Sequence, residues 1–223
     1  MRAAIPPPFQ LTPTRCPRSN DCHSAQYRRV QKDHNSGVMT DAALATCASA
    51  HACVRCFEEI VHRNQTRLLH FLSRRLGSRH NAEDVLQETF LLAYRKIGQY
   101  RPQWQFSTWL FTIANRAAVT SLRRQSAPTP STSQYDLVSR ASGPHEIAAE
   151  VEIRSALWDT AQRVLSSDAF TSLWLCYVEA MTAEQIGQVI GRNANAVRIL
   201  LHRARIRLGQ ELQELNEPEE IHK

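Results

Sequence analysis

Glycine is scarce in this chain, at 7 of 223 residues, and aromatic residues make up only 7%. With Ala, Leu, Gln, Glu and Arg abundant, that poverty favours helices over sheets. No apolar run approaches the roughly 20 residues that a bilayer span requires. The opening Met1–Gln10 carries one Arg and then three prolines, without the apolar centre of a secretory signal. These absences predict a cytoplasmic chain in which the six cysteines stay reduced. Also missing are a phosphate-cradling glycine loop, an HExxH, a serine-centred elbow and a convincing acid–base pair. No catalytic residue and no cofactor are expected, so the chain reads as something other than an enzyme. Acids are outnumbered by Lys and Arg, 21 to 27, for a formal charge of +6 and a pI near 9.2. An excess that small matters through its placement, since a basic stripe on one helix would suit a phosphate backbone.

What is present is a core's worth of apolar residues, 43%, in a length that suits one ordinary domain or two small ones. Residues 1–38 hold Pro6, Pro7, Pro8, Pro13 and Pro17 among polar and basic residues without helical period, and read as disordered. An alternative is that Met39 is the true start. Beyond it Phe57, Ile60, Val61, Leu68, Leu72 and Leu76 recur at three-to-four spacing, predicting one buried helical stripe that Gly77 ends. Asn81 before Ala82-Glu83-Asp84 reads as an N-cap with acids in the first turn. That helix should stop at Gly98. After a loop over 99–105, a further helix over Phe106–Arg124 presents Phe106, Trp109, Leu110, Ile113, Ala117 and Leu122 as its apolar face. The stretch from Gln125, with Pro128, Pro130 and Pro144, reads as a linker, and helices resume near residue 146.

The clearest local signal lies near the C-terminus. Thr182 and Gln185 have capping-box spacing, and Ile186, Val189 and Ile190 form the inner face of a short helix. Gly191 supplies a tight turn, and Asn193 can cap a second helix. In it Val197, Leu201, Ala204 and Leu208 fall on one side, with Asn195, Arg198, His202 and Arg205 on the opposite or flanking side. Arg192, Arg198, Arg203, Arg205 and Arg207 lie here with no acid among them. Two short helices about a glycine turn make a helix-turn-helix, whose second helix enters the major groove. Asn and Arg there suit adenine and guanine edges, and further Arg can hold phosphates. A merely solvated basic face is the plainer reading of any Arg-rich helix; the cap, the turn and the paired helices together argue against it. The apolar Ile199 and Leu200 fit a reading face less well.

Three ordered stretches carry a family resemblance. Ala82-Glu83-Asp84-Val85-Leu86-Gln87-Glu88-Thr89-Phe90-Leu91-Leu92-Ala93-Tyr94-Arg95-Lys96 resembles region 2.2 of bacterial RNA polymerase sigma factors of the extracytoplasmic-function (ECF) subfamily. Phe106-Ser107-Thr108-Trp109 through Leu122-Arg123-Arg124 resembles regions 2.3 and 2.4, and Tyr177-Val178-Glu179 through Arg205 resembles region 4. The resemblance implies an all-α protein of two small helical domains joined by a flexible linker. Its implied divisions are an extension over 1–39, region 2 over 40–125, a linker over 126–145, region 4 over 146–215 and a tail over 216–223. It implies that Asp84, Gln87, Glu88, Leu91 and Arg95 dock on the clamp helices of the large polymerase subunit. Their three-to-four spacing makes one mostly polar stripe with a single leucine. It implies that Tyr100, Arg101, Trp104, Gln105, Asn115, Arg116, Thr120, Arg123 and Arg124 meet the minus-ten DNA. Strand opening without ATP requires that exposed bases find stacking and hydrogen bonds in the protein. Phe106 and Trp109 are assigned to the core. Asn193, Asn195, Arg198, His202, Arg203 and Arg205 are implied to read the minus-thirty-five element while region 4 grips the polymerase flap. Promoter DNA and core polymerase are the implied partners, with an anti-sigma factor possible and no membrane. The resemblance implies a response to stress or an environmental signal, and leaves the particular signal and the promoter sequence open.

Two features lie outside this scheme. Cys47, His51, Cys53 and Cys56 sit close together and include a CxxC, which could bind metal or sense redox. No second CxxC follows, and small cysteines packed in a helical core are the plainer reading, so no metal is expected. A DNA-binding regulator acting without replacing the sigma subunit would also explain the helix-turn-helix. It would leave the stretch over 82–96 unexplained.

Overall fold

The computed structural model describes residues 39–125 and 145–216. The expected extension, linker and tail fall outside them save for their end positions. Among the described residues every regular element is helical. Helices α1 (Asp41–His51), α2 (Val54–Leu76), α3 (Arg79–Lys96) and α4 (Phe106–Gln125) form the N-terminal half, and α5 (His145–Val164), α6 (Ser167–Tyr177), α7 (Ala183–Ile190) and α8 (Ala194–Asn216) the C-terminal half.

Helix α2 buries Phe57, Ile60, Leu68, Leu72 and Leu76, the stripe read from the spacing, and Val61 packs beside it half-buried. Gly77 ends it in the left-handed region at φ 68°, with its N–H bonded to the Ser73 carbonyl at 3.0 Å. The next helix starts earlier than predicted. Ser78, not Asn81, is its N-cap, and the Ser78 hydroxyl accepts the Asn81 N–H at 3.4 Å. A serine directly after the terminating glycine lets the chain turn and restart at once. Glu83 and Asp84 therefore fall beyond the first turn. Gly98 does not stop α3 either. It lies inside a 3₁₀ turn, Ile97–Gln99, which closes with the Tyr100 N–H on the Ile97 carbonyl at 3.1 Å.

Phe106, Leu110, Ile113 and Ala117 of α4 are buried as predicted, with Trp109 and Leu122 half-buried at the margin. In the C-terminal half Trp158, Phe170 and Trp174 form a ring cluster, with the two tryptophans 4.8 Å apart between centroids.

The two halves share a core. Phe71 of α2 meets Phe111 at 5.4 Å and Trp174 of α6 at 6.4 Å. Buried Arg75 donates to the Ser167 carbonyl at 3.0 Å, to the Ser167 hydroxyl at 2.8 Å and to the Thr171 hydroxyl. Burial pushes its guanidinium down to about 10, partly offset by Asp168, so it stays charged at neutral pH. Arg74 with Asp159, and Arg67 with Glu179, add ion pairs at the rim. No helix among the described residues is long and apolar enough to cross a membrane.

Candidate nucleic-acid interface

Helix α7 opens on a complete capping box. The Gln185 N–H bonds the Thr182 hydroxyl at 3.4 Å, and the Thr182 N–H bonds the Gln185 side-chain oxygen at 2.7 Å. Gly191 ends it at φ 72°. Asn193 then caps α8, its side-chain oxygen accepting the Ala196 N–H at 2.7 Å. Of the residues expected at the minus-thirty-five element, Asn193 is thus engaged in holding the helix start. Val197, Leu201, Ala204 and Leu208 are buried. Asn195, Arg198, His202, Arg203 and Arg205 are exposed, together with Ile199 and Ile206.

The arginines of this segment are not equivalent. Arg198 pairs with Glu184 at 2.6 Å, Arg192 with Asp168 at 2.8 Å, and Arg207 donates to the Val164 carbonyl at 2.9 Å. These contacts tie Arg198 to α7, Arg192 to α6 and Arg207 to the end of α5. Glu184 sits at the α7 start, where its own backbone N–H and the Thr182 hydroxyl, reinforced by Arg198, hold its carboxyl below the ordinary value. The sequence reading missed Gly187. A Cβ there would lie 2.4 Å from the Arg192 carbonyl oxygen, so α7 and the turn approach too closely for any side chain. A glycine on the inner side of an eight-residue helix was the available signal.

On α3, Asp84, Gln87, Leu91 and Arg95 are exposed along one side, with Glu88 half-buried among them. Leu91 leaves 59% of its surface to solvent, and neighbouring Tyr94 leaves 44%. The Tyr94 ring rests edge-on against Phe57 at 5.0 Å, so its outer side and Leu91 make an exposed apolar spot within charges.

The minus-ten group divides. Arg101, Trp104 and Gln105 in the loop, and Arg116, Thr120, Arg123 and Arg124 on α4, are exposed. Tyr100 and Asn115 are not. The Tyr100 ring turns inward between Phe106, at 5.3 Å, and Trp109, at 5.6 Å, and its hydroxyl donates to the Trp104 carbonyl at 2.8 Å. Tyr100 is therefore a buried brace of the loop, because its ring completes the aromatic cluster that seats α4. Asn115 is buried where α4 meets α7, and its Nδ2 donates to the Val189 carbonyl at 3.3 Å. Its Oδ1 has no partner among the described residues.

Fold and surfaces together define an all-helical protein with a helix-turn-helix in one half and a basic helix beside an aromatic loop in the other. Comparison with known proteins fixes the family. The model of Sigma-70 region 2 matches residues 60–127, and that of Sigma-70, region 4 matches residues 158–208. The chain is 35% identical over 159 residues to RNA polymerase sigma factor CarQ of Myxococcus xanthus, covering 71% of this chain and 90% of the relative. It is 26% identical over 171 residues to ECF RNA polymerase sigma factor SigW of Bacillus subtilis (strain 168), with the same coverage of 71% and 90%. Among solved structures it is similar to CnrH in complex with the cytosolic domain of CnrY, with a TM-score of 0.59 at 23% identity over 79% of this chain and 99% of that one. The sigma factor RpoE of Bartonella quintana, solved with the anti-sigma factor NepR, gives 0.51 at 18% identity over 72% of this chain and 98% of that one. The chain belongs to the RNA polymerase sigma factors, in the ECF subfamily.

Proposed function

We propose that this sigma factor docks on core RNA polymerase through the exposed α3 stripe and reads its promoter with α4 and α8. The observation that carries the reading is the exposed row Asp84, Gln87, Leu91 and Arg95 on the helix that resembles region 2.2. The clamp helices of the large polymerase subunit are its partner. Region 4 grips the flap while Asn195, Arg198, His202, Arg203 and Arg205 face the minus-thirty-five element. At the minus-ten element Arg116, Thr120, Arg123 and Arg124 supply phosphate and base contacts, and Trp104, Arg101 and Gln105 receive the unpaired strand. Stacking on one exposed indole is worth about 1–3 kcal/mol per base, a fair share of the cost of unstacking it. Asn115 joins this group only after α7 leaves α4. The bond that its buried amide makes to the Val189 carbonyl would break in that step. The relative RpoE was solved with an anti-sigma factor, which supports a regulator of the same kind here.

Run-off transcription with bacterial core polymerase, with and without the chain, tests the reading on promoters of the host genome, including the chain's own. A specific transcript that needs the chain and fades with Asp84→Ala plus Leu91→Asp is the expected result. Specific duplex binding by the chain alone, with no association with core polymerase, would favour a regulator that works without displacing the sigma subunit.

A further inference from the structure

Outside the surfaces that polymerase and DNA would use, three cysteines converge. Cys47 lies on the penultimate turn of α1, Cys53 in the two-residue junction that follows, and Cys56 in the first turn of α2. All three are buried and in no disulfide among the described residues, and their sulfurs lie within 4.8 Å of one another. A tetrahedral zinc ion with bonds of about 2.3 Å places its sulfurs roughly 3.8 Å apart, a separation that small rotamer changes can reach.

Packing accounts for one buried cysteine at a time but not for the convergence. The local backbone is built around it. Ala52 sits in the left-handed region at φ 48°, unusual for a residue with a side chain, and this turn swings Cys53 back beneath Cys47. Cys53 then occupies the N-cap of α2, a place that favours Ser, Thr, Asp or Asn, and makes no capping hydrogen bond. Its sulfur is turned to the other two instead. Cys53 and Cys56 lie at the N-terminus of a 23-residue helix with no acid in its first turn.

We propose that Cys47, Cys53 and Cys56 form a three-thiolate site for a zinc ion that clasps α1 to α2. His51, the exposed last residue of α1, is the nearest further donor along the chain but lies outside the sulfur cluster, and would have to turn inward to supply a fourth ligand. The clasp fixes a helix that abuts the Ile97–Gln99 turn, where Ser49 stands 4.0 Å from the Cβ position of Gly98. Metal would therefore steady the root of the loop that carries Trp104.

The test uses the full chain, purified under reducing conditions and stripped of metal, and titrated with Co²⁺ as a spectroscopic stand-in. The expected result is one ion per chain, with the strong visible bands of tetrahedral cobalt and thiolate-to-metal charge transfer, both bleached by Zn²⁺. Zn²⁺ should raise Tm by several degrees. Cys53→Ser and Cys56→Ser should each weaken binding at least about tenfold, while Cys176→Ser and a Cys16→Ser plus Cys22→Ser variant should bind like the parent. A spectrum of hydrated octahedral cobalt in the unsubstituted chain would overturn the site without reference to any variant. So would undiminished binding when Cys47, Cys53 and Cys56 are all serine, or thiol alkylation that zinc does not slow.

Discussion

Tyr100 and Trp104 stand four residues apart in one loop and do opposite things. Tyr100→Phe keeps the ring among Phe106 and Trp109 but loses the bond to the Trp104 carbonyl. It should cost about 1 kcal/mol in thermal unfolding and leave promoter melting nearly intact. Trp104→Ala removes a half-exposed ring with little packing behind it. Its Tm should barely move, while permanganate reactivity of the promoter's minus-ten thymines falls well below the parent's. A variant that opens DNA as well as the parent would remove Trp104 from the reading. The sequence proposed both residues because a loop rich in aromatics and arginine suggests base capture. Nothing local to 99–105 says which ring turns inward. That is decided by Phe106 and Trp109, whose positions depend on where α4 lands.

At the scale of single helices the sequence was most legible. The buried faces of α2 and α4, the capping box of α7 and the left-handed Gly77 and Gly191 all follow from spacing and residue type. Boundaries were less so, because Ser78 and Asn81 are equally good caps and only the chain path after Gly77 chooses between them. Two glycine substitutions separate two roles in the helix-turn-helix. Gly191→Ala meets open space and carries only the strain of its φ, about 1 kcal/mol. Gly187→Ala drives a Cβ into the Arg192 carbonyl and must shift the turn. Denaturant melts should therefore rank Gly187→Ala as the more damaging, with minus-thirty-five binding lost alongside. The α7 start should also respond to acid. Because the folded-state Glu184 carboxyl titrates below its unfolded value, its contribution is complete above that unfolded value. It fades as pH falls through the lowered one. Glu184→Gln should flatten the acid limb of a stability–pH profile; an unchanged limb would mean that the carboxylate does nothing for the helix.

For the molecule as a whole, what could not be read in advance is the docking of its halves. Periodicity reports which face of a helix is buried and not what covers it, and the covering helix lies beyond a long proline-bearing stretch. Arg75 is the sharpest case. In the sequence it is one of many arginines near a helix end, and in the structure it is a buried cation held by Ser167 and Thr171. Thr171→Val keeps the shape and removes an acceptor, leaving a buried charge short of a partner. It should loosen the docking by about 1–2 kcal/mol. A donor–acceptor dye pair placed on α3 and α8 would read this as a larger open population in the free chain, and an unaltered distribution would show that Arg75 is no latch. Promoter affinity of the holoenzyme should also fall steeply with salt, and Arg123→Ala should reduce that slope by about 1 if Arg123 holds a phosphate.

The contact between Asn115 and Val189 occupies an α4 amide with the protein's own backbone. A chromosome offers on the order of 10⁶ or more irrelevant sites to any basic helix. In the docked form α7 covers Asn115 while Arg116, Arg123 and Arg124 stay open to solvent, so under the proposed function an idle copy keeps its phosphate contacts and lacks one amide for reading bases. Such a copy would hold DNA loosely without telling a promoter from the sequence around it.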